Sequence, residues 1–213
     1  MSVTVWFVIL IPLAIFAWLV GQAMPTPRDR QLQRLRSRAR ELDIHVSLRQ
    51  LRDPDPDPGS RVTSGGRTRD ARLDLAAYAR PLRLPDGVET RHAPTWRLCR
   101  MRHHAEDRYD EGLPPGWRLD RAELPLRAPV LAELSALVAR TPAGTEALEA
   151  SPREVTLCWR ERGEAGALDA LAAFLDDVAA FQTSLAEDAA RREREAARAA
   201  DRDDDPAAGS ADA

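Results

Sequence analysis

No lysine and no asparagine occurs in the 213 residues, so all 31 basic side chains are arginine. Both missing residues use A-rich codons, which points to a GC-rich coding sequence in which arginine clusters carry less meaning than usual. Those 31 cations stand against 34 acidic residues, and a net charge of −3 offers no general attraction for a polyanion. Only two cysteines are present. Cys99 and Cys158 lie far apart within strand-like runs, without the C-x-x-C spacing of a metal or redox site. Buried, reduced thiols are the expected state for a cytosolic domain, and a disulfide fits only a reversed orientation. Also missing are a nucleophile elbow, a glycine-rich dinucleotide loop, an H-E-x-x-H helix and a paired-carboxylate motif. The expectation is therefore a protein that is not an enzyme, with no cofactor and no small-molecule substrate.

What the chain does have is a long apolar run. Val3 to Val20 is uncharged, with only Thr4 and Pro12 off the apolar pattern. As a helix it rises about 27 Å, close to the thickness of a bilayer core. It reads as a transmembrane anchor, with Trp6 and Trp18 near headgroup level and Pro12 as a point of kinking. No charged side chain precedes Arg28, whereas Arg28, Arg30, Arg34, Arg36, Arg38 and Arg40 follow closely. Cationic flanks are kept on the cytoplasmic side. The expectation is a single-pass protein of a bacterial inner membrane, N-terminus periplasmic and C-terminal domain cytoplasmic. A cleaved signal peptide is the rival, since Gly21-Gln22-Ala23 is small-x-small. The absent basic n-region, the length of the run and the arginines just downstream speak for a signal-anchor.

The expected organisation is an anchor over residues 1–24, a basic juxtamembrane helix over 25–43, a cytosolic α+β domain over 44–188 with a flexible loop at 53–70, and a charged helical extension with a disordered tail over 189–213. Leu32, Leu35, Ala39 and Leu42 recur at helical spacing, and the six arginines of that stretch against Asp29, Glu41 and Asp43 leave a local charge of +3. They are the expected contacts to anionic headgroups, although the topology rule alone also accounts for them. Ile44 to Arg49 alternates apolar and polar, a half-buried strand with His45 on its polar face. Asp53-Pro54-Asp55-Pro56-Asp57-Pro58-Gly59 then breaks regular structure. Leu73 to Leu84 reads as a strand that Pro81 would confine to an edge. Thr95 to Met101 and Gly116 to Asp120 read as neighbouring antiparallel strands.

Val130, Leu131, Leu134, Leu137 and Val138 mark a helix ending near Thr141-Pro142. Val155 to Trp159 is β-rich, and outweighs the capping-box look of Ser151-Pro152-Arg153-Glu154. Leu168, Leu171, Leu175, Val178, Phe181 and Leu185 form the clearest helical stripe. The fold class expected is α+β: one N-terminal transmembrane helix, then a small, mainly antiparallel sheet of about four to five strands covered by two or three helices.

Three patterns touch on chemistry. His103-His104 with Glu106, Asp107, Asp110 and Glu111 resembles a metal cluster, but consecutive strand residues point to opposite faces. Trp96, Tyr109 and Trp117 could stack bases while Arg97, Arg100, Arg102, Arg108 and Arg118 meet phosphates. The simpler reading puts Trp96, Leu98, Trp117 and Leu119 on the core face with Arg97 and Arg118 on the wet one, and no nucleic-acid partner is expected. Ser64-Gly65-Gly66-Arg67 lacks the spacing and the lysine of a phosphate loop.

The uncharged span, the arginine-rich exit and Gly59-Ser60-Arg61-Val62-Thr63-Ser64-Gly65-Gly66 together resemble the start of the YajC family, accessory subunits of the bacterial Sec translocon. That family carries a G-D-x-V-x-T-x-G-G-type segment after its single span. Here the segment is one residue short, Ser60 stands for the Asp, and Ile44 to Pro58 lengthens the distance from the span. The resemblance covers about the first third of the chain and implies a place beside the protein-export machinery. The main expectation is a domain that binds other membrane or cytosolic proteins at the bilayer, as an adaptor or assembly factor. The translocon accessory is the alternative, and a nucleic-acid-binding or metal-dependent activity a further one.

Overall fold

The computed structural model describes residues 13–16, 18, 26–56, 71–102, 112–123, 127–161 and 166–203. Helix α1, Pro27–Glu41, starts where two local signals coincide. Pro27 occupies the first helical position, where its missing N–H costs nothing. Thr26 caps it: its hydroxyl accepts from the Asp29 amide at 3.2 Å while the Asp29 carboxylate accepts from the Thr26 amide at 2.9 Å. Leu35 and Ala39 are buried, and Leu32 and Leu42 pack beside them, the stripe expected from spacing. Asp43, at φ 57°, turns the chain sharply into the first strand.

The strands are β1 (His45–Arg52), β2 (Arg72–Pro81), β3 (Trp96–Arg100), β4 (Trp117–Ala122), β5 (Thr145–Ala150) and β6 (Glu154–Trp159). They form one antiparallel sheet in the order β1-β2-β6-β5-β3-β4. Helices α2 (Ala128–Val138) and α3 (Gly166–Asp203) complete the fold. Tyr78, Trp96, Leu98, Leu148, Leu157 and Trp159 point to one sheet face and meet Leu35, Leu134, Leu171, Leu175, Val178 and Phe181 of the three helices. α3, about 57 Å long at 1.5 Å per residue, outruns the sheet, and residues 191–200 are all exposed.

Several expectations are corrected. Among the described residues no helix is long and apolar enough to cross a membrane. The reason is compositional: a span needs about 20 predominantly apolar residues, whereas α1 carries arginines on three sides and the last third of α3 carries Arg191-Arg192-Glu193-Arg194-Glu195. The transmembrane helix, the signal-anchor and the single-pass inner-membrane placement with its two compartments are therefore not supported. Of Val3 to Val20 only 13–16 and 18 are described, as helix with Leu13, Ile15, Phe16 and Trp18 exposed. The remainder of that run, Gly21-Gln22-Ala23 and residues 204–213 lie outside the described residues. The sheet has six strands rather than four or five, because β5 joins it. β2 is interior, and Pro81 is accommodated as its last residue, where one lost ladder bond is tolerable.

The opposite face of the sheet is covered differently. β1 and β3 stand four strand spacings apart, roughly 19 Å in a flat sheet. Yet Asp55, just past β1, accepts the backbone N–H of Arg102, just past β3, at 2.8 Å. The β1–β2 ribbon must therefore curl across this face, and Leu51 and Leu73 pack against Leu75, Ala77, Cys99, Ala147 and Cys158. Asp55 and Pro56, expected within a flexible loop, are buried here; residues 57–70 of that loop lie outside the described residues. Cys99 stands opposite Ala147, which stands opposite Cys158. Two strand spacings, roughly 10 Å, exceed the Cα separation a disulfide tolerates, and both thiols are free.

Burial pushes both thiols up to about 12. At pH 8 a thiol reagent added to the folded protein is expected to label neither cysteine, and to label both after denaturation. The unfolded chain releases these protons near pH 8.5, roughly, while the folded chain holds them to about 12. Their contribution to stability is thus intact below the first value and is lost as pH rises toward the second. Rapid labelling at pH 8 without loss of structure would contradict this packing.

Candidate functional site

The two edges of the sheet are built differently. β4 is short, carries Arg118, Asp120 and Arg121, and breaks register against β3 so that Asp120 is an extra residue. Bulges and charges are the usual means of blunting an edge against further pairing. β1 pairs with β2 without a break from His45 to Arg52, and no strand lies on its outer side among the described residues. Such an edge presents a row of backbone donors and acceptors.

Side chains beside this edge make a groove. Val46 and Leu48 face the helix-covered side, where Leu48 is 74% exposed, the most exposed large apolar side chain of the described sheet. A cavity of about 460 Å³ runs between β1 and α1, lined by Arg36, Arg40 and Ile44 to Leu48. Leu48 also borders a second cavity, about 380 Å³, that continues past Leu32, Asp74, Ala76 and Trp159 to Glu161 and Arg28. One ridge residue thus joins two hollows along the same side of the sheet.

The wall of the groove is held by a half-buried carboxylate, Glu161. Arg36 donates to Glu161 through Nε at 3.1 Å and Nη2 at 2.8 Å, and the Tyr78 hydroxyl donates to the same carboxylate at 2.9 Å. Burial first, and the Glu161 charge second, push the Tyr78 phenol well above its usual range, so it remains a donor. The hydrogen bond that Arg36 donates to Glu161 raises the arginine in turn. This trio ties α1 to β2 and to the residues just past β6.

The six arginines expected at a membrane surface divide by direction. Arg36 faces Glu161, and Arg38 pairs with Glu41 at 2.9 Å and with Asp169 of α3 at 3.2 Å. Arg28 and Arg40 line the two cavities, while Arg30 and Arg34 are exposed. They form no single face, because a helix turns 100° per residue and these positions spread around it.

Elsewhere charge is internally balanced. On the opposite sheet face Arg97 approaches Glu149 at 2.9 Å and Asp120 at 3.6 Å, and Arg49 reaches Glu149 and Glu154 at 3.4 and 3.3 Å. Glu146 is shared by Arg102 and by Arg160, the latter at 2.8 Å. Trp96 and Trp117 are buried against the helices, so neither offers a stacking surface. Tyr109, Arg108, His103, His104 and the carboxylates following them lie outside the described residues, as do Gly59 to Gly66 and Arg67. Among the described residues no group of three or more His, Cys, Asp or Glu is placed to hold a metal ion.

The alternation of Ile44 to Arg49 puts Leu48 with Val46 on the apolar side of a half-buried strand, and no motif marks Tyr78, Trp159 or Glu161 as site residues. The alternation is real, but whether a strand lies at an edge is decided by strand order. No known family model matches the chain, and no curated protein or solved structure matches it either.

Proposed function

We propose that this chain is a protein-binding domain, an adaptor or assembly factor, that receives its partner on the outer edge of β1 and the adjoining groove under α1. The observation that carries the reading is the contrast between the two edges: β4 is bulged and charged, whereas β1 runs unbroken beside an exposed leucine. Adding an extended segment to such an edge is a recurrent mode of recognition, with backbone bonds giving affinity and flanking pockets giving selectivity.

A photo-crosslinking residue placed at Leu48 tests this in cells. A discrete protein adduct is expected from that position and not from Glu195, which is exposed on the far half of α3. Equal adducts from both positions, or none from Leu48, would sink the reading.

A further inference from the structure

We infer that the occupant of the β1 edge is an extended acidic segment, in which carboxylates alternate with apolar side chains, rather than a second copy of this chain. The inference rests on the docking edge proposed above and adds to it the chemistry of the ligand.

Charge decides the sign. The hollow between β1 and α1 is lined by Arg36, Arg40, His45 and small or apolar residues, with no carboxylate among them, and the adjoining hollow beyond Leu48 sets Arg28, Arg72 and Arg160 against Asp74 and Glu161. Glu161 neutralises Arg36. Arg40 has no ion pair among the described residues and stands exposed on the flank of α1 that faces the edge. A strand added outside β1 alternates its side chains between the two faces. Those on the helix-covered face run past Val46 and Leu48 and beneath Arg40, so an apolar side chain against Leu48 and a carboxylate near Arg40 satisfy both.

Self-pairing fails on the same ground. β1 itself, His45 to Arg52, contains no carboxylate, so a second copy of it laid along the edge leaves Arg40 of each chain unanswered, whereas an acidic segment answers it. Arg49 already has its carboxylates within its own sheet, and these lie inward of the edge.

The probe is a random peptide library displayed on phage, selected against the full chain. Selected peptides are expected to alternate Asp or Glu with Val, Ile or Leu. A synthetic peptide of the consensus is expected to shift the amide resonances of Ile44 to Arg49, and to lose about tenfold in affinity with Arg40→Glu and again with Leu48→Lys. Raising salt should weaken it, since a partly exposed charge pair is screened. Both positions are exposed, so circular dichroism and the urea midpoint should not move.

Selection of uncharged or basic peptides that still lose binding with Leu48→Lys would overturn the acidic occupant and leave edge docking intact. Amide shifts confined to other strands, with Leu48→Lys inert, would overturn both. Sedimentation as a dimer that Leu48→Lys converts to monomer would replace the acidic segment by a second copy.

Discussion

Replacing Trp159 by alanine is expected to lower the unfolding free energy by about 3–5 kcal/mol, read as a fall in the urea midpoint at unchanged slope. The side chain is 1% exposed at the end of β6, which is flanked on both sides by other strands. Its ring meets the edge of Tyr78 at 5.7 Å and 71°, a geometry that adds to simple burial. Its indole N–H donates to the Ala143 carbonyl at 2.8 Å. Truncation therefore empties volume, breaks an aromatic pair and removes the indole donor from the Ala143 carbonyl. The neighbouring turn cannot fill the gap by a simple substitution. Gly144 holds φ +87°, and a Cβ there would stand 3.1 Å from the Trp159 indole nitrogen, so the turn is built around this ring.

Trp159→Phe separates the terms, because it keeps a ring and deletes the donor. It is expected to cost about 1–3 kcal/mol. A loss below about 1 kcal/mol for the alanine variant would mean that this end of the sheet is not packed as described. Trp159 also lines the hollow beyond Leu48 and packs on Tyr78, which holds Glu161 and thereby Arg36. The alanine variant should accordingly weaken any ligand of the β1 edge even where the chain remains folded.

Which parts of this arrangement the sequence discloses follows from which forces are local. Ile44 to Arg49 alternates cleanly, and His45, Ser47 and Arg49 do lie on one face while Val46 and Leu48 lie on the other. The stripe from Leu168 to Phe181 is buried on a helix with Leu185 half-buried at its end, and the runs sharing Trp-Arg-Leu do pair as β3 and β4. Thr145 to Ala150 escaped notice for an equally physical reason. With a single β-branched residue and otherwise Ala, Glu and Leu, it has the composition of a helix. It becomes a strand because β6 and β3 offer it ladders on both sides, and its small side chains fit between their larger ones.

The apolar N-terminal run departs furthest from expectation: length and hydropathy favour a span, but no helix among the described residues is long and apolar enough to cross a membrane. The arginines of α1 were legible as a cluster. Their division into Arg36 and Arg38, paired within the fold, and Arg40, facing the edge, depends on where β6 and α3 deliver Glu161 and Asp169. Edge position and partner delivery are tertiary facts, so the docking edge could not be seen before the strand order was known.

Gln182→Leu is expected to cost about 2–5 kcal/mol despite the near-equal size and greater hydrophobicity of leucine. Gln182 is fully buried within the apolar stripe of α3, beside Phe181. Its Oε1 accepts the indole N–H of Trp96 at 2.8 Å, and its Nε2 donates to the Pro94 carbonyl at 2.6 Å. The indole nitrogen can only donate, which fixes the orientation of the amide. Leucine leaves both partners buried and unpaired, and the cost of those two groups outweighs the gain from removing a polar amide. Trp96→Phe in the same background removes one orphan, so the double variant should lose less than the sum of the singles, by about 1–2 kcal/mol. Additive losses would mean that Gln182 and Trp96 do not bond. The pair matters beyond its energy: Trp96 begins β3 and meets Phe181 edge-on at 6.3 Å. A bond between that strand and the middle of α3 sets the height of the helix along the sheet, where apolar contacts alone would tolerate sliding by a turn.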